Sequence, residues 1–239
     1  MTRIIDLHCH IVPGVDDGAR DVAESLEMLK IAQSQGVTDI FCTSHNGYSE
    51  EEAQKYLKAL ELLKSEAVKA GISINLHKGT EILCGGEYME DILFGLEIGA
   101  FQTLGNSKYV LTELYPDARI AEALQVVEAL KTNGYTPIIA HMERNVNIAG
   151  LMARILVNSG VLIQVNAYSL EEENDEVIKG RARELLAGRL VHFIGSDAHR
   201  ITHRPPKLDA GASYILNNTN AEYAEKVLCG NALSFLLNK

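Results

Sequence analysis

Residues 3–10 read Arg-Ile-Ile-Asp-Leu-His-Cys-His, an apolar run that ends in two histidines. A short apolar run rich in β-branched residues predicts a buried strand. Because residues i and i+2 of a strand point to the same face, His8 and His10 can bind one ion while Leu7 and Cys9 face the other side. The alternative is a pair of solvent-facing histidines. The turn that follows at residues 13–18, Pro-Gly-Val-Asp-Asp-Gly, adds two carboxylates and favours metal binding.

Further along the chain, strand-like runs alternate with amphipathic helical stretches. Strands are predicted at Arg3–His10, Val37–Thr43, Ile72–Leu76, Tyr109–Glu113, Pro137–His141, Val161–Asn166 and Val191–Asp197. Helices are predicted from a cap at Asp21 to Gly36, from a capping box of Ser49 and Glu52 to Gly71, and over Arg119–Thr132 and Glu176–Ala187. This alternation predicts an α/β fold of about seven strand–helix units around a parallel sheet, in one domain over residues 1–239.

Composition and charge exclude several classes of protein. The chain has 239 residues, of which 46% are hydrophobic and 23% charged, which is typical of one globular domain. Its net charge of -10 argues against binding to a nucleic-acid backbone, which depends on Lys and Arg. There is no apolar signal sequence and no apolar run that could span a bilayer, so we expect a cytoplasmic protein without membrane insertion.

The cysteines do not indicate a metal ribbon or a redox motif. Cys9, Cys42, Cys84 and Cys229 are scattered, with no C-x-x-C pair. None has an arginine six positions later, so the phosphate-binding loop of a cysteine-dependent tyrosine phosphatase is absent. A covalent thiophosphate mechanism is therefore not expected.

Potential metal ligands follow almost every predicted strand. They are His8, His10, His45, Glu81, Glu113, His141, Asp197 and His199, whereas the sixth strand ends in the amide of Asn166. In α/β barrels the carboxyl ends of the strands meet at one face, so these residues would converge. His45 alone could be a capped surface group. Buried carboxylates such as Glu81 and Glu113 are costly unless a positive charge lies beside them.

The types of ligand indicate the chemistry. Imidazoles and carboxylates without thiolates suit manganese, iron or zinc better than calcium or structural zinc. Two or more such ions can bind the oxygens of a phosphoryl group and activate a water for attack on phosphorus. Arg144 and Arg204 are placed to bind the remaining phosphoryl oxygens, although each could also be a surface arginine.

Taken in order, six motifs resemble those of the polymerase and histidinol phosphatase (PHP) superfamily. They are Asp-Leu-His-Cys-His at 6–10, Pro-Gly-Val-Asp-Asp-Gly at 13–18, Thr-Ser-His at 43–45, Gly-Thr-Glu at 79–81, Ala-His-Met-Glu-Arg at 140–144 and Gly-Ser-Asp-Ala-His at 195–199. Within this superfamily, the chain looks most like the manganese-dependent protein-tyrosine phosphatases of bacterial capsule and exopolysaccharide loci. The resemblance extends over nearly the whole chain.

The resemblance implies a distorted TIM-like (β/α)7 barrel with three divalent metal ions, manganese being expected and iron or zinc also suitable. It assigns His8, His10, Glu81 and Asp197 to one ion, Glu81, Glu113 and His141 to a second, and Asp17, His45 and His199 to a third. It matches Arg144 and Arg204 to the catalytic arginines of the family. The implied substrate is a phosphotyrosine protein, such as the autophosphorylated tail of a bacterial tyrosine kinase. The chain departs from many relatives in Thr43-Ser44-His45, where they have Thr-Pro-His, and in the short loop 46–48.

Two alternatives stay open, and only the first would share this ligand set. The first is a phosphatase of the same superfamily that acts on a small molecule such as histidinol phosphate. The second is a module that binds metals without catalysis, which would be expected to lack ligands. A phosphodiesterase or exonuclease is disfavoured by the acidic charge.

Overall fold

The structure is a computed structural model that describes residues 3–148 and 150–237. Its strands are β1 (Ile4–Cys9), β2 (Val37–Cys42), β3 (Asn75–Lys78), β4 (Glu81–Cys84), β5 (Tyr109–Leu114), β6 (Thr136–Ile139), β7 (Leu162–Asn166) and β8 (Phe193–Gly195). Its α-helices are α1 (Val22–Ser34), α2 (Glu50–Lys69), α3 (Met89–Glu97), α4 (Ile120–Thr132), α5 (Leu151–Asn158), α6 (Glu176–Ala187), α7 (Asp209–Asn218), α8 (Ala221–Glu225) and α9 (Asn231–Phe235). Short 3-10 turns cover Gly86–Tyr88, Met142–Arg144 and Ala167–Leu170, and a π turn, Lys226–Gly230, joins α8 to α9.

The first two helices begin where the sequence predicts. The carboxylate of Asp21 accepts a hydrogen bond from the Glu24 amide at 2.9 Å, and the Ser49 hydroxyl accepts one from the Glu52 amide at 3.2 Å. Each bond satisfies an amide that the first turn of a helix leaves unpaired. The predicted helix starts are therefore confirmed.

The strands form a closed parallel barrel. Within the described residues they pair in the orders β1-β2-β3 and β4-β5-β6-β7-β8, and every pairing is parallel. The Asp197 amide after β8 donates to the His8 carbonyl at 2.7 Å, which joins β8 to β1. The Glu81 amide at the start of β4 donates to the carbonyl of Thr43, just after β2, at 3.3 Å, which joins the two sheets on the other side. The predicted α/β barrel is confirmed.

The third strand differs from the prediction. The sequence predicts a strand at Ile72–Leu76 that leads to Glu81, but the structure has β3 at Asn75–Lys78, paired with β2, and a separate β4, which Glu81 begins. The cause is the buried hydroxyl of Tyr56. It donates to the Cys42 carbonyl at 2.6 Å and accepts from the Gly79 amide at 3.0 Å, so it replaces a ladder bond at that point. Counted as one interrupted strand, β3 and β4 give the seven positions of the predicted barrel.

Apolar packing fills the end of the barrel opposite the strand-end motifs. A cluster of buried residues from five strands, including Leu7, Phe41, Leu111, Ile138 and Phe193, packs against the C-terminal helical segment. In the part of the chain that the structure describes, no helix is long and apolar enough to cross a membrane. The expected single domain over residues 1–239 includes residues 1, 2, 149, 238 and 239, which lie outside the described residues, and stays a prediction.

Candidate metal centre

The nine predicted ligands lie together at the carboxyl ends of the strands. Each has a donor atom within 3.6 Å of a donor atom of another member. Six of them are buried, namely His8, His10, Glu81, His141, Asp197 and His199. His45, Asp17 and Glu113 reach solvent, so they mark the mouth of the cluster.

The carboxylate of Glu81 is the centre of this cluster. Its Oε2 lies 2.9 Å from His8 Nε2 and 3.1 Å from His10 Nε2, and its Oε1 lies 2.8 Å from His141 Nε2. Burial alone would raise the pKa of Glu81, but the surrounding imidazoles lower that pKa well below its usual range. Glu81 is therefore an anion that faces at least three imidazole nitrogens.

The donors separate into three overlapping groups, and in each group the donor atoms lie within 4.8 Å of one another. The groups are His8, His10, Glu81 and Asp197; His10, Asp17 and His45; and His45, Glu81 and Glu113. The first is the set that the resemblance implies for one ion. In the group with Glu81 and Glu113, His45 takes the place expected for His141, and in the group with Asp17 and His45, His10 takes the place expected for His199. The expected histidines remain close, with His141 3.6 Å from Glu113 and His199 3.5 Å from Asp17.

Hydrogen bonds at the outer ring nitrogens, the Nδ1 atoms, fix the tautomers of His8 and His10. His8 Nδ1 lies 3.2 Å from Gln164 Oε1, and His10 Nδ1 lies 2.8 Å from an oxygen of Asp16. Gln164 Oε1 also accepts the His141 amide at 2.8 Å, so it must be the oxygen end of that side chain. Since both partners are acceptors, each Nδ1 carries a hydrogen, and each Nε2 is the nitrogen that would bind an ion.

This arrangement fits a divalent cation. The Nε2 atoms of His8 and His10 are 3.1 Å apart and both face the Glu81 carboxylate, so positive charge, from bound protons or from a cation, is favoured between them. Burial alone would lower the pKa of His10, yet its hydrogen bonds to Asp16 and Glu81 raise that pKa to about 10. The cluster thus attracts positive charge, and imidazole nitrogens with carboxylate oxygens are the ligands of manganese, iron and zinc.

Two amides on β7 connect candidate ligands that lie on different strands. Gln164 Nε2 donates to Asn166 Oδ1 at 2.8 Å, and Asn166 Nδ2 donates to Asp197 Oδ2 at 3.0 Å. Gln164 therefore orients His8, and Asn166 orients Asp197. In the sequence, Asn166 stood out only as an amide, Asp16 only as one of the two carboxylates of the turn at 13–18, and Gln164 not at all. The i, i+2 spacing of Gln164 and Asn166 on one strand face was the available signal for Gln164.

Close packing and unusual backbone geometry hold the cluster in place. A side chain at Gly195 would approach the Cβ of His8 to 2.7 Å and Gln164 Nε2 to 2.8 Å, so only glycine fits there. His141, Asp197 and Arg204 have φ values of 31°, 49° and 52°, a left-handed region that non-glycine residues rarely adopt. Such strain persists only where the surrounding structure enforces it, and it is common at functional sites.

Both predicted arginines contact the outer oxygen of Asp197. Arg144 Nη2 lies 2.8 Å and Arg204 Nη1 lies 3.0 Å from Asp197 Oδ2, while Arg144 also donates to the Tyr168 hydroxyl. Burial opposes ionisation of Asp197, but His8 and Arg144 lower its pKa to about 2. The inner oxygen of Asp197 faces the imidazoles, and the outer one anchors two partly exposed guanidinium groups at the edge of the cluster. Tyr168 was not singled out in the sequence.

The cysteines do not offer a nucleophile. All four are unpaired and buried, and burial raises the pKa of each thiol. Cys9 lies between two candidate ligands, but its side chain faces the Ala198 carbonyl on the barrel wall. A thiolate is therefore disfavoured at every cysteine.

Comparison with known proteins is consistent with this geometry. The family model described as capsular polysaccharide synthesis, CpsB/CapC, matches residues 4–237. The chain belongs to the CpsB/CapC family. This membership confirms the kind of bacterial capsule-locus protein that the motifs predicted.

Individual members of the CpsB/CapC family are also similar over most of the chain. The chain is 33% identical to the tyrosine-protein phosphatase YwqE of Bacillus subtilis, covering 99% of this chain and 92% of YwqE. It is 35% identical to the putative tyrosine-protein phosphatase CapC of Staphylococcus aureus, covering 84% and 79% of the two chains. A solved structure from work on YwqE of B. subtilis and CpsB of Streptococcus pneumoniae, described as metal-dependent tyrosine phosphatases, matches with a TM-score of 0.87 at 32% identity. That match covers 99% of this chain and 95% of the solved one.

Proposed function

We propose that this protein is a metal-dependent protein-tyrosine phosphatase that takes part in the control of capsular polysaccharide synthesis. One observation carries the proposal: buried imidazoles and carboxylates meet around Glu81, and two arginines lie at the edge of the same cluster on Asp197. The relatives of the CpsB/CapC family, which are named tyrosine-protein phosphatases, support phosphotyrosine as the substrate.

The proposal includes three divalent ions, with manganese as the first candidate and iron or zinc as the next. The proposed ligands are the nine residues His8, His10, Asp17, His45, Glu81, Glu113, His141, Asp197 and His199. When bound, such ions supply positive charge to the phosphoryl oxygens and lower the pKa of a water. The protein contributes the Nε2 lone pairs, whose direction is fixed by Gln164 and Asp16.

Arg144 and Arg204 are the proposed catalytic arginines. Their guanidinium groups lie side by side on one carboxylate oxygen, so they can turn together toward a phosphoryl group that enters from the mouth. Planar guanidinium groups bind phosphoryl oxygens in pairs and stabilise the charge of the transition state. Hydrolysis replaces the phenolic P–O bond with a P–O bond from water. The phenolate then takes up a proton, which gives tyrosine and inorganic phosphate.

The depth of the cluster favours phosphotyrosine over phosphoserine. The innermost donors are buried, and only those at the mouth are partly exposed. A phosphoryl group on the long tyrosine side chain reaches these buried donors more easily than a phosphoryl group on the short serine side chain. We propose the autophosphorylated tail of a bacterial tyrosine kinase as the partner. We also propose a cytoplasmic location, with which four unpaired cysteines agree.

The test compares three substrates with the purified full chain. The enzyme is stripped with excess chelator and reloaded with Mn²⁺ or Mg²⁺. Phosphate release is then measured from a phosphotyrosine peptide, the matching phosphoserine peptide and histidinol phosphate. We expect rapid release from the phosphotyrosine peptide only, no release in chelator, and better restoration by Mn²⁺ because Mg²⁺ prefers oxygen ligands.

Each other outcome points to a different function. A preference for histidinol phosphate would identify a small-molecule phosphatase with the same ligand set. Full activity in chelator, after time for slow release of ions, would rule out the metal-dependent reaction. Tight metal binding without hydrolysis of any substrate would indicate a non-catalytic metal module.

A further inference from the structure

A cleft of about 630 Å³ opens beside the mouth of the metal cluster. Its main lining side chains are Tyr48, Leu83, Tyr88, Phe94, Phe101 and Tyr115, and we refer to it as the aromatic cleft. The volume is within the range of ligand sites in proteins, roughly 300–1,000 Å³. The reaction proposed above uses none of these residues.

The aromatic cleft is continuous with the proposed active site along the chain. Tyr48 follows His45 by three residues, Leu83 follows Glu81 by two, and Tyr115 follows Glu113 by two. His45 and Glu113 are also two of the three donors that reach solvent, with side chains 35% and 25% exposed; the third is Asp17. A substrate whose phosphoryl group enters the cluster on the side of His45 and Glu113 therefore extends past this cleft.

The cleft exposes an unusual concentration of apolar surface. Five of the fifteen exposed large apolar side chains in the described part of the chain line it, namely Tyr48, Tyr88, Phe94, Ile98 and Tyr115. Scattered single apolar residues are normal on a surface, whereas a contiguous group marks a binding site. Aromatic side chains of this kind are also enriched where proteins bind other chains.

The packing beneath the aromatic cleft is specific. Gly47 has a φ of 95°, and a side chain there would approach the Ala100 carbonyl oxygen to 2.6 Å. This close contact brings the loop after His45 onto the end of α3. It also sets the ring of Tyr48 edge-on to Phe101, with 5.4 Å between ring centroids. The cleft is thus built by contacts between two segments distant in sequence.

The charge of the aromatic cleft selects its occupant. Glu50 and Asp91 are the charged side chains among its lining residues, and both are acidic. Lys or Arg on an occupant would be attracted to these carboxylates, and Asp or Glu would be repelled. An aromatic or large aliphatic side chain fits the apolar walls.

We infer that the aromatic cleft binds the substrate polypeptide beside the phosphotyrosine and prefers a large apolar residue accompanied by Lys or Arg. This inference rests on the proposed function. An extended chain advances about 3.3 Å per residue, so the recognised residues lie within a few positions of the phosphotyrosine. The phosphoryl group would supply the reaction, and the cleft would supply selectivity among phosphotyrosine proteins.

The test uses Mn²⁺-loaded enzyme and short phosphotyrosine peptides that differ only in their flanking residues. One peptide carries Ala flanks, one carries Phe with Lys, and one carries Phe with Glu; free phosphotyrosine is measured as well. We expect kcat/KM for the Phe-Lys peptide to exceed that of the Ala peptide about tenfold, equal to ~1.4 kcal/mol. Most of the gain should appear in KM. The Phe-Glu peptide should lose most of this gain.

Variants of the aromatic cleft give the matched comparison. Phe94 is 62% exposed, so Phe94→Ser should fold and should bring the ratio of kcat/KM between the Phe-Lys and Ala peptides close to one. Asp91→Lys should reverse the preference between Lys and Glu flanks. The control is Val68→Ser, which is 76% exposed on α2 and lies roughly 27 Å along that helix from Glu50. It should leave every ratio unchanged.

Each remaining outcome is informative. Equal kcat/KM for all three peptides would overturn the inference while leaving the phosphatase intact. No hydrolysis of any substrate, including free phosphotyrosine, would instead refute the proposed function. If sedimentation showed a dimer that Phe94→Ser dissociates and the peptide ratios stayed near one, the cleft would be an interface between two copies, and the inference would be wrong.

Discussion

Gln164→Leu tests whether an amide outside the ligand set controls metal binding. Gln164 Oε1 accepts hydrogen bonds from His8 Nδ1 at 3.2 Å and from the His141 amide at 2.8 Å, and both donors are buried. Leucine has a similar size but leaves both donors unpaired. Each unpaired buried donor costs ~1–3 kcal/mol, so the free energy of unfolding should fall by ~2–6 kcal/mol.

Metal affinity should fall in the same variant. Without its acceptor, the His8 ring can rotate or change tautomer, so its Nε2 lone pair no longer points at Glu81. Loss of such an outer partner commonly costs about 10- to 100-fold in metal affinity, which equals ~1.4–2.7 kcal/mol. The assay is calorimetric titration of chelator-stripped protein with Mn²⁺. Urea unfolding of the metal-free protein measures the change in the free energy of unfolding separately.

Two further variants make the result interpretable. Gln33→Leu removes a glutamine oxygen that also accepts two hydrogen bonds, from Ser73, at the opposite end of the barrel. It should leave Mn²⁺ affinity unchanged. Gln164→Glu keeps an acceptor oxygen for both donors and should lose less affinity than leucine, even if the leucine variant does not fold. Unchanged Mn²⁺ affinity in folded Gln164→Leu would refute the reasoning.

Four other predictions follow from the same structure. Arg144→Ala should lower kcat on phosphotyrosine by about a hundredfold. Arg144→Lys should restore only part of this kcat, because lysine lacks the planar guanidinium group that binds two oxygens at once. A kcat of Arg144→Ala equal to that of the unchanged protein would contradict this role. Glu81→Gln should lower both turnover and the number of ions bound, measured by metal analysis, and a fully loaded, active variant would show that Glu81 is not a ligand. Serine at each of the four cysteines should leave kcat within a few-fold, and a phosphocysteine trapped by acid quenching would contradict that prediction. Burial lowers the pKa of His192 to about 4, below its unfolded value of about 6.5. The neutral side chain therefore leaves the free energy of unfolding at its full value above the unfolded pKa. Up to ~3 kcal/mol of that free energy is lost as the pH falls toward 4. His192→Asn should therefore flatten the loss of stability between about pH 6.5 and pH 4 in urea unfolding, and an unchanged slope would disprove this cause.

Sequence patterns were sufficient for the local elements and for the types of ligand. Caps such as Asp21 and Ser49 act through bonds to residues three positions away, so they are readable from the chain alone. The alternation of strands and helices predicts a parallel barrel, and a parallel barrel brings the ends of its strands together. This is why eight ligands distant in sequence could be expected at one face, whereas Asp17, in the turn after β1, was assigned by the family resemblance.

The tertiary structure decided what depends on distances between separate strands. The hydroxyl of Tyr56, a residue of α2, lies between the third strand and its neighbour and interrupts the third strand between β3 and β4. The tertiary structure placed Gln164 and Asp16 behind the imidazoles, although Gln164 belongs to none of the six motifs and Asp16 was not distinguished from its neighbour Asp17. It also placed His45 in two groups of donors. The aromatic cleft likewise exists only because loops after three strands meet.

The physical reason is that hydrogen bonds and coordination require positions accurate to a few tenths of an ångström. A periodic pattern specifies which face of a strand a residue occupies, but the distance between two faces depends on how the whole barrel closes. At His141 and Asp197 closure even forces the backbone into the left-handed region, which local preference disfavours. The residue types of the centre were therefore set by the sequence, and their grouping was set by the closed barrel.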